Sequence, residues 1–292
     1  MHQVDRRSFM KFVTAASILA GVSSRTFTEA RDVVSLPDIE RWKIPGPHKM
    51  SVLVQALSTI YYPSDISADD PRPVIIWGNG TGAVPVVYRG LFKHWVSYGY
   101  VVAAANTPNA ALGLLMRQCI DSLERQNEAS AGLFAGALRL DKIASSGHSQ
   151  GGQAAINAAI DPRVRTLIPI QPGPLADVAL ISTPMLLLTG TSDVIVYPPL
   201  YVERWMRDRA RGPMVYGSLR GATHFESVST KDDSGFASVT TAWLEAVLNR
   251  NGSAARQFFG PDFGFQRSPM WTGVTRNTAA ERFLPNGDNA ST

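Results

Sequence analysis

Hydrophobic positions follow two rhythms that alternate along the chain. Short continuous apolar runs occur at MSVLVQAL (50–57), PVIIW (73–77), YVVAAAN (100–106), KIASSGH (142–148), VRTLIPI (164–170), PMLLLTG (184–190) and PMVYGSL (213–219). Runs of this length and β-branched content predict strands, several of them apolar on both faces. Between them, apolar residues recur at helical spacing in YRGLFKHWVSYG (88–99), ALGLLMRQCIDSLERQN (111–127), GGQAAINAAI (151–160), PPLYVERWMRDRA (198–210) and SGFASVTTAWLEAVLN (234–249). The alternation predicts an α/β domain with a mainly parallel central sheet and helices on both faces. Residues 251–282 are aromatic and rich in Pro and Gly, which predicts a packed extension without regular structure, and NGDNAST reads as a solvated tail.

The first thirty residues break the pattern. DRRSFMKF is followed by FVTAASILAGV, an apolar stretch too short to span a bilayer. A basic start, an apolar middle and small residues near Thr28 and Ala30 predict a cleavable export signal. Arg6-Arg7 before Ser8, Phe9, Met10 and Lys11 resembles the twin-arginine type. The expected organisation is therefore a signal over 1–30, an α/β domain over 31–250 and a C-terminal extension and tail over 251–292. The expected destination is periplasmic or extracellular, with no stable membrane span after signal removal. The formal charge is +4 at pH 7, and Arg6, Arg7, Lys11 and Arg25 in the signal outnumber Asp5 and Glu29. No basic run remains beyond it, so no nucleic-acid partner is expected. The single cysteine, Cys119, excludes an intrachain disulfide and sits in a helical pattern as a buried small hydrophobe.

The chemistry concentrates at GHSQG, residues 147–151, which fits G-x-S-x-G with a strand before it and an Ala-rich helix after it. In that setting the glycines permit a sharp turn that points the Ser149 oxygen outward. A serine hydroxyl needs a base, and the base needs an orienting acid. Five histidines are available. His2 lies in the signal, His48 precedes the core strands, His94 is placed on the outer surface of the first helix, and the His148 side chain should project away from Ser149. His224 remains, in a loop between the last strand and the last helix. The acid is expected in the loop after PMLLLTG, where Asp193 lies; Asp161, Asp177 and Glu226 are the competitors. The order Ser149, Asp193, His224 is that of the α/β-hydrolase arrangement. An oxyanion needs two donors. They are expected from the backbone N–H of Gln150 and from GNGTGA (78–83), with Thr81 preferred and Gly80 next. GNGTG lacks the Lys-Ser/Thr pair of a phosphate loop.

VIIWGNGTGA, YVVAAANTPN, GHSQGGQAA, GTSDVIVYP and ATHF together resemble the α/β-hydrolase superfamily over roughly residues 50–250. Within it the chain is similar to secreted bacterial serine esterases, the cutinase-like and dienelactone-hydrolase-like branch. The resemblance implies Ser149 as nucleophile, His224 as base and Asp193 as the residue that orients it. It implies a carboxylic-ester hydrolase that needs no metal or organic cofactor and acts on a small or polymeric ester. Gln150 stands where cutinase-like enzymes often carry methionine, and neither their C-terminal disulfide nor their tryptophan before the acid loop is present. A peptidase or amidase on the same triad, or a catalytically silent binding protein of this fold, are the other readings.

Overall fold

The structure is a computed structural model that describes residues 38–203, 206–229, 231 and 234–285. The expected signal over 1–30 and the terminal NGDNAST lie outside the described residues. Among the described residues there are nine strands: β1 (Met50–Val54), β2 (Ser58–Pro63), β3 (Arg72–Gly78), β4 (Val101–Ala105), β5 (Leu138–His148), β6 (Val164–Ile170), β7 (Met185–Gly190), β8 (Met214–Leu219) and β9 (Trp271–Arg276). The principal helices are α1 (Arg89–Ser97), α2 (Leu114–Glu128), α3 (Gln150–Ala158), α4 (Ala237–Val247), α5 (Gly252–Phe258) and α6 (Thr278–Arg282).

One sheet holds all nine strands in the order β1-β2-β4-β3-β5-β6-β7-β8-β9. β4, β3, β5, β6, β7 and β8 run parallel, while β2 is antiparallel to both neighbours and β9 is antiparallel to β8. This is the predicted α/β class, with a mostly parallel sheet, and it is consistent with an α/β-hydrolase-like fold. The continuous apolar runs have a direct cause. Ile75 and Trp77 pack on one face with α1 residues Leu91, Phe92 and Trp95 and with Trp243 of α4. Their neighbours Val74 and Ile76 pack on the other face with Met116, Cys119 and Ile120 of α2 and Ala154 and Ala155 of α3. Period-2 alternation puts successive side chains on opposite faces, so both must be apolar.

Three expectations are corrected here. The strand expected over 50–57 is shorter, ending at Val54, and it is followed by an unexpected β2 at 58–63 that pairs back on it in a hairpin. Residues 251–282 are not irregular, because they supply α5, β9 and α6, and β9 extends the sheet beside β8. Among the described residues of the helix expected over 198–210 there is a π turn at Pro199–Glu203 and a 3-10 turn at Arg207–Arg209.

The strand order reverses at the centre. β3 and β5 are adjacent, but the helix after β3 packs on one face of the sheet and the helix after β5 on the other. Such a switch point opens a crevice at the carboxyl ends of the strands. The loops after β3 and β5 both empty into it.

Candidate active site

Ser149 sits between β5 and α3 with φ 57 and ψ −121, a left-handed-side conformation that non-glycine residues rarely adopt. The elbow is fixed by close backbone approach. A Cβ on Gly151 would collide with the carbonyl of Gly78, and one on Gly147 would collide with the carbonyl of Gly151. Glycine at both positions therefore lets the end of β3 lie directly against the first turn of α3. The Ser149 amide donates to Ile170 O at 3.0 Å, and its carbonyl accepts from Gly173 N at 2.9 Å. The strained residue is thus held from both sides.

The structure brings the three residues expected to act together into one line. Ser149 Oγ lies 2.9 Å from His224 Nε2, and His224 Nδ1 lies 2.8 Å from Asp193 Oδ2. Asp193 is fully buried near the start of the loop after β7, and its Oδ1 accepts the N–H groups of Ile195 at 3.0 Å and Val196 at 2.9 Å. Burial pushes its carboxyl up, but the hydrogen bonds from His224, Val196 and Ile195 outweigh that and hold it below the usual carboxylate range. It therefore stays ionised to orient the His224 ring. The competing acids are engaged elsewhere. Asp161 binds Arg163, Asp177 caps the 178–180 turn, and Glu226 accepts from Gly235 N.

Two buried residues that the sequence reading left without a role complete the surroundings. Gln171, at φ 45 just after β6, donates its amide to Asp193 Oδ2 at 2.9 Å and to Thr223 O at 2.8 Å. Both partners are acceptors, so the amide nitrogen must face them. His148 is also buried, with Nδ1 3.1 Å from Tyr88 Oη and Nε2 2.7 Å from His224 O. Their sequence signals were weak. Gln171 lies in a QPGP loop, and the partners of His148 are sixty and seventy-six positions away.

The loop expected to supply an oxyanion donor follows β3. Asn79 is buried and donates to Ala105 O at 2.7 Å and Thr107 O at 3.0 Å, tying this loop to the one after β4. Gly80 donates its N–H to Tyr88 Oη at 3.0 Å, so it is already occupied. Thr81 follows it on the exposed side of the loop. Gln150 opens α3, so its amide lies at the helix N-terminus, where the dipole favours negative charge. Beyond Thr81 the chain forms one wall of a groove of about 510 Å³ lined by Val52, Val54, Val84, Val86, Arg89 and Pro108, among others; Ser149, Asp193 and His224 do not line it.

The remaining histidines are elsewhere. His48 pairs with Asp65. His94 is corrected: it is buried rather than on the outer surface, and its Nε2 donates to Trp42 O at 2.9 Å. The segment 38–43 covers this part of α1, a contact no helical periodicity could reveal. Cys119 is buried on α2, and burial pushes its thiol up to about 12, which leaves no thiolate near neutral pH. No helix among the described residues is long and apolar enough to cross a membrane. No model of a known protein family matches the chain, and no curated protein matches it either.

Proposed function

We propose that the chain is a serine hydrolase of the α/β-hydrolase type that cleaves carboxylic esters through an acyl-enzyme. The observation that carries this reading is the continuous contact from Ser149 Oγ through His224 to buried Asp193, built on a left-handed elbow. In the proposed mechanism His224 Nε2 takes the Ser149 proton as Oγ attacks the ester carbonyl. The tetrahedral oxyanion is held by the N–H groups of Gln150 and Thr81, since the Gly80 N–H is bound to Tyr88. His224 returns the proton to the leaving alcohol, the acyl group remains on Ser149, and water then repeats the sequence to release the acid. Asp193 keeps the proton on His224 Nδ1 and stabilises the transient imidazolium.

Two features support an uncharged, apolar ester. Val194, Ile195 and Phe225, beside Asp193 and His224 in sequence, are all exposed on the loops that carry the triad. The chain between β6 and β7 carries only a short turn at Val178–Leu180, which favours an open site over a lidded one. The twin-arginine-like N-terminus supports export, and an antibody or activity comparison of periplasmic and cytoplasmic fractions tests it. For the activity itself, p-nitrophenyl esters of increasing acyl length are the substrates of choice. Turnover by wild type and its loss in Ser149→Ala are expected; no turnover of any ester by folded wild type would exclude this reading.

A further inference from the structure

His148 directly precedes the candidate nucleophile, yet its ring turns away from Ser149 and into the protein. Its hydrogen-bond directions can be assigned by elimination. The His224 carbonyl can only accept, so His148 Nε2 carries a proton and donates across 2.7 Å. A neutral ring then offers only a lone pair at Nδ1, so the Tyr88 hydroxyl donates to it across 3.1 Å. The Tyr88 oxygen in turn accepts the Gly80 N–H across 3.0 Å. Every link points the same way, from the oxyanion loop to the backbone of the histidine loop.

The packing is specific to this arrangement. A Cβ on Gly80 would lie 3.0 Å from Tyr88 Oη and 3.2 Å from His148 Nδ1, so the bridge sits against bare backbone. Tyr88 is fully buried and stacks at a tilt on Trp77, with ring centroids 4.9 Å apart. The His148 and His224 rings are 4.7 Å apart. One residue further back, Gln171 pins the Thr223 carbonyl. Two successive carbonyls of the histidine loop are therefore held by buried side chains that follow or end neighbouring strands.

We propose that His148 and Tyr88 are positioning residues. They form a bridge that sets the backbone of His224 against the oxyanion loop, so that base and oxyanion donors keep one relative geometry. The proposal rests on the ester-hydrolase reading for its kinetic consequences but not for its structural ones. Burial, and next the neighbouring His224, push the His148 ring down to about 3. It therefore stays neutral when His224 gains its proton during turnover, and adds no second positive charge beside it. Burial likewise raises the Tyr88 phenol, which keeps its proton to donate.

The test uses Tyr88→Phe, His148→Gln and His148→Leu in the full chain. It has two readouts: kcat and KM on a p-nitrophenyl ester, and the downfield proton resonance of His224 Nδ1–H. Loss of the bridge in His148→Leu should lower kcat by about 10²-fold with KM unchanged, the scale expected when a reacting group is slightly misplaced. His148→Gln restores a donor to the His224 carbonyl and should recover most of that loss, with Tyr88→Phe in between. The His224 resonance should move in His148→Leu and return toward wild type in His148→Gln. A folded His148→Leu with wild-type kcat, or with an unmoved resonance, overturns the bridge. If His148→Leu does not fold, Tyr88→Phe with wild-type kcat and resonance overturns it. If wild type hydrolyses no ester, the hydrolase reading fails while the resonance still decides the bridge.

Discussion

The buried His148 makes a quantitative prediction about acid stability. Its ring is pushed down from 6.5 to about 3, first by burial and then by His224. A histidine with a lowered folded value binds fewer protons folded than unfolded. Its contribution to stability is complete above about pH 6.5 and is lost as pH falls toward about 3. At about 1.4 kcal/mol per unit, the full window corresponds to about 5 kcal/mol, and the loss between pH 7 and pH 5 to about 2 kcal/mol. The geometry gives the same sign: a proton on Nδ1 would face the Tyr88 hydroxyl, whose oxygen already accepts from Gly80. The measurement is urea unfolding at pH 7, 6 and 5 for wild type and His148→Gln, which cannot titrate. Groups not in contact with His148 are common to both proteins, so the difference reports this ring and its coupling to His224. Wild type should lose about 2 kcal/mol more than the variant over that range. Parallel curves for the two proteins would refute the buried neutral assignment.

Three further outcomes follow from the site. Gly151→Ala places a methyl against the Gly78 and Asn79 carbonyls and should destabilise the fold by about 3 kcal/mol or more, read as a lowered urea midpoint. Asp193→Asn removes the charge that orients His224 and sets an amide donor against buried donors such as Gln171 Nε2, so kcat for ester hydrolysis should fall by roughly 10³- to 10⁴-fold and the urea midpoint should also drop. Cys119 should resist alkylation by iodoacetamide in the folded protein and react once urea unfolds it; rapid native alkylation would contradict its burial.

The sequence made the central strands visible because β3 to β8 are covered on both faces, which leaves continuous apolar runs. The same physics exposed Ser149, since only glycine on both sides allows the approach of Gly78 to the elbow. Asp193 and His224 were placed by their loops, which follow two easily read strands. What escaped depends on partners distant in the chain. The turn between β1 and β2 has no Gly, Pro or Asn; it is held instead by Asn106, which donates to Gln55 O at 2.7 Å. β9 reads as irregular because Pro269 stands just before it and the left-handed Gly273 lies within it, while Trp271 packs on Phe265 with ring centroids 5.1 Å apart. Tyr88, His148 and Gln171 each carry polar atoms whose partners come from other strands and loops, so no local pattern marks them.

The most direct measurement is intact-mass analysis after exposure to a serine-reactive alkyl phosphonate, on wild type and Ser149→Ala in parallel. The account predicts one phosphonyl adduct on wild type, mapped to Ser149, and none on the variant. A folded wild-type protein that takes up no adduct, or an equal adduct on Ser149→Ala, would contradict it.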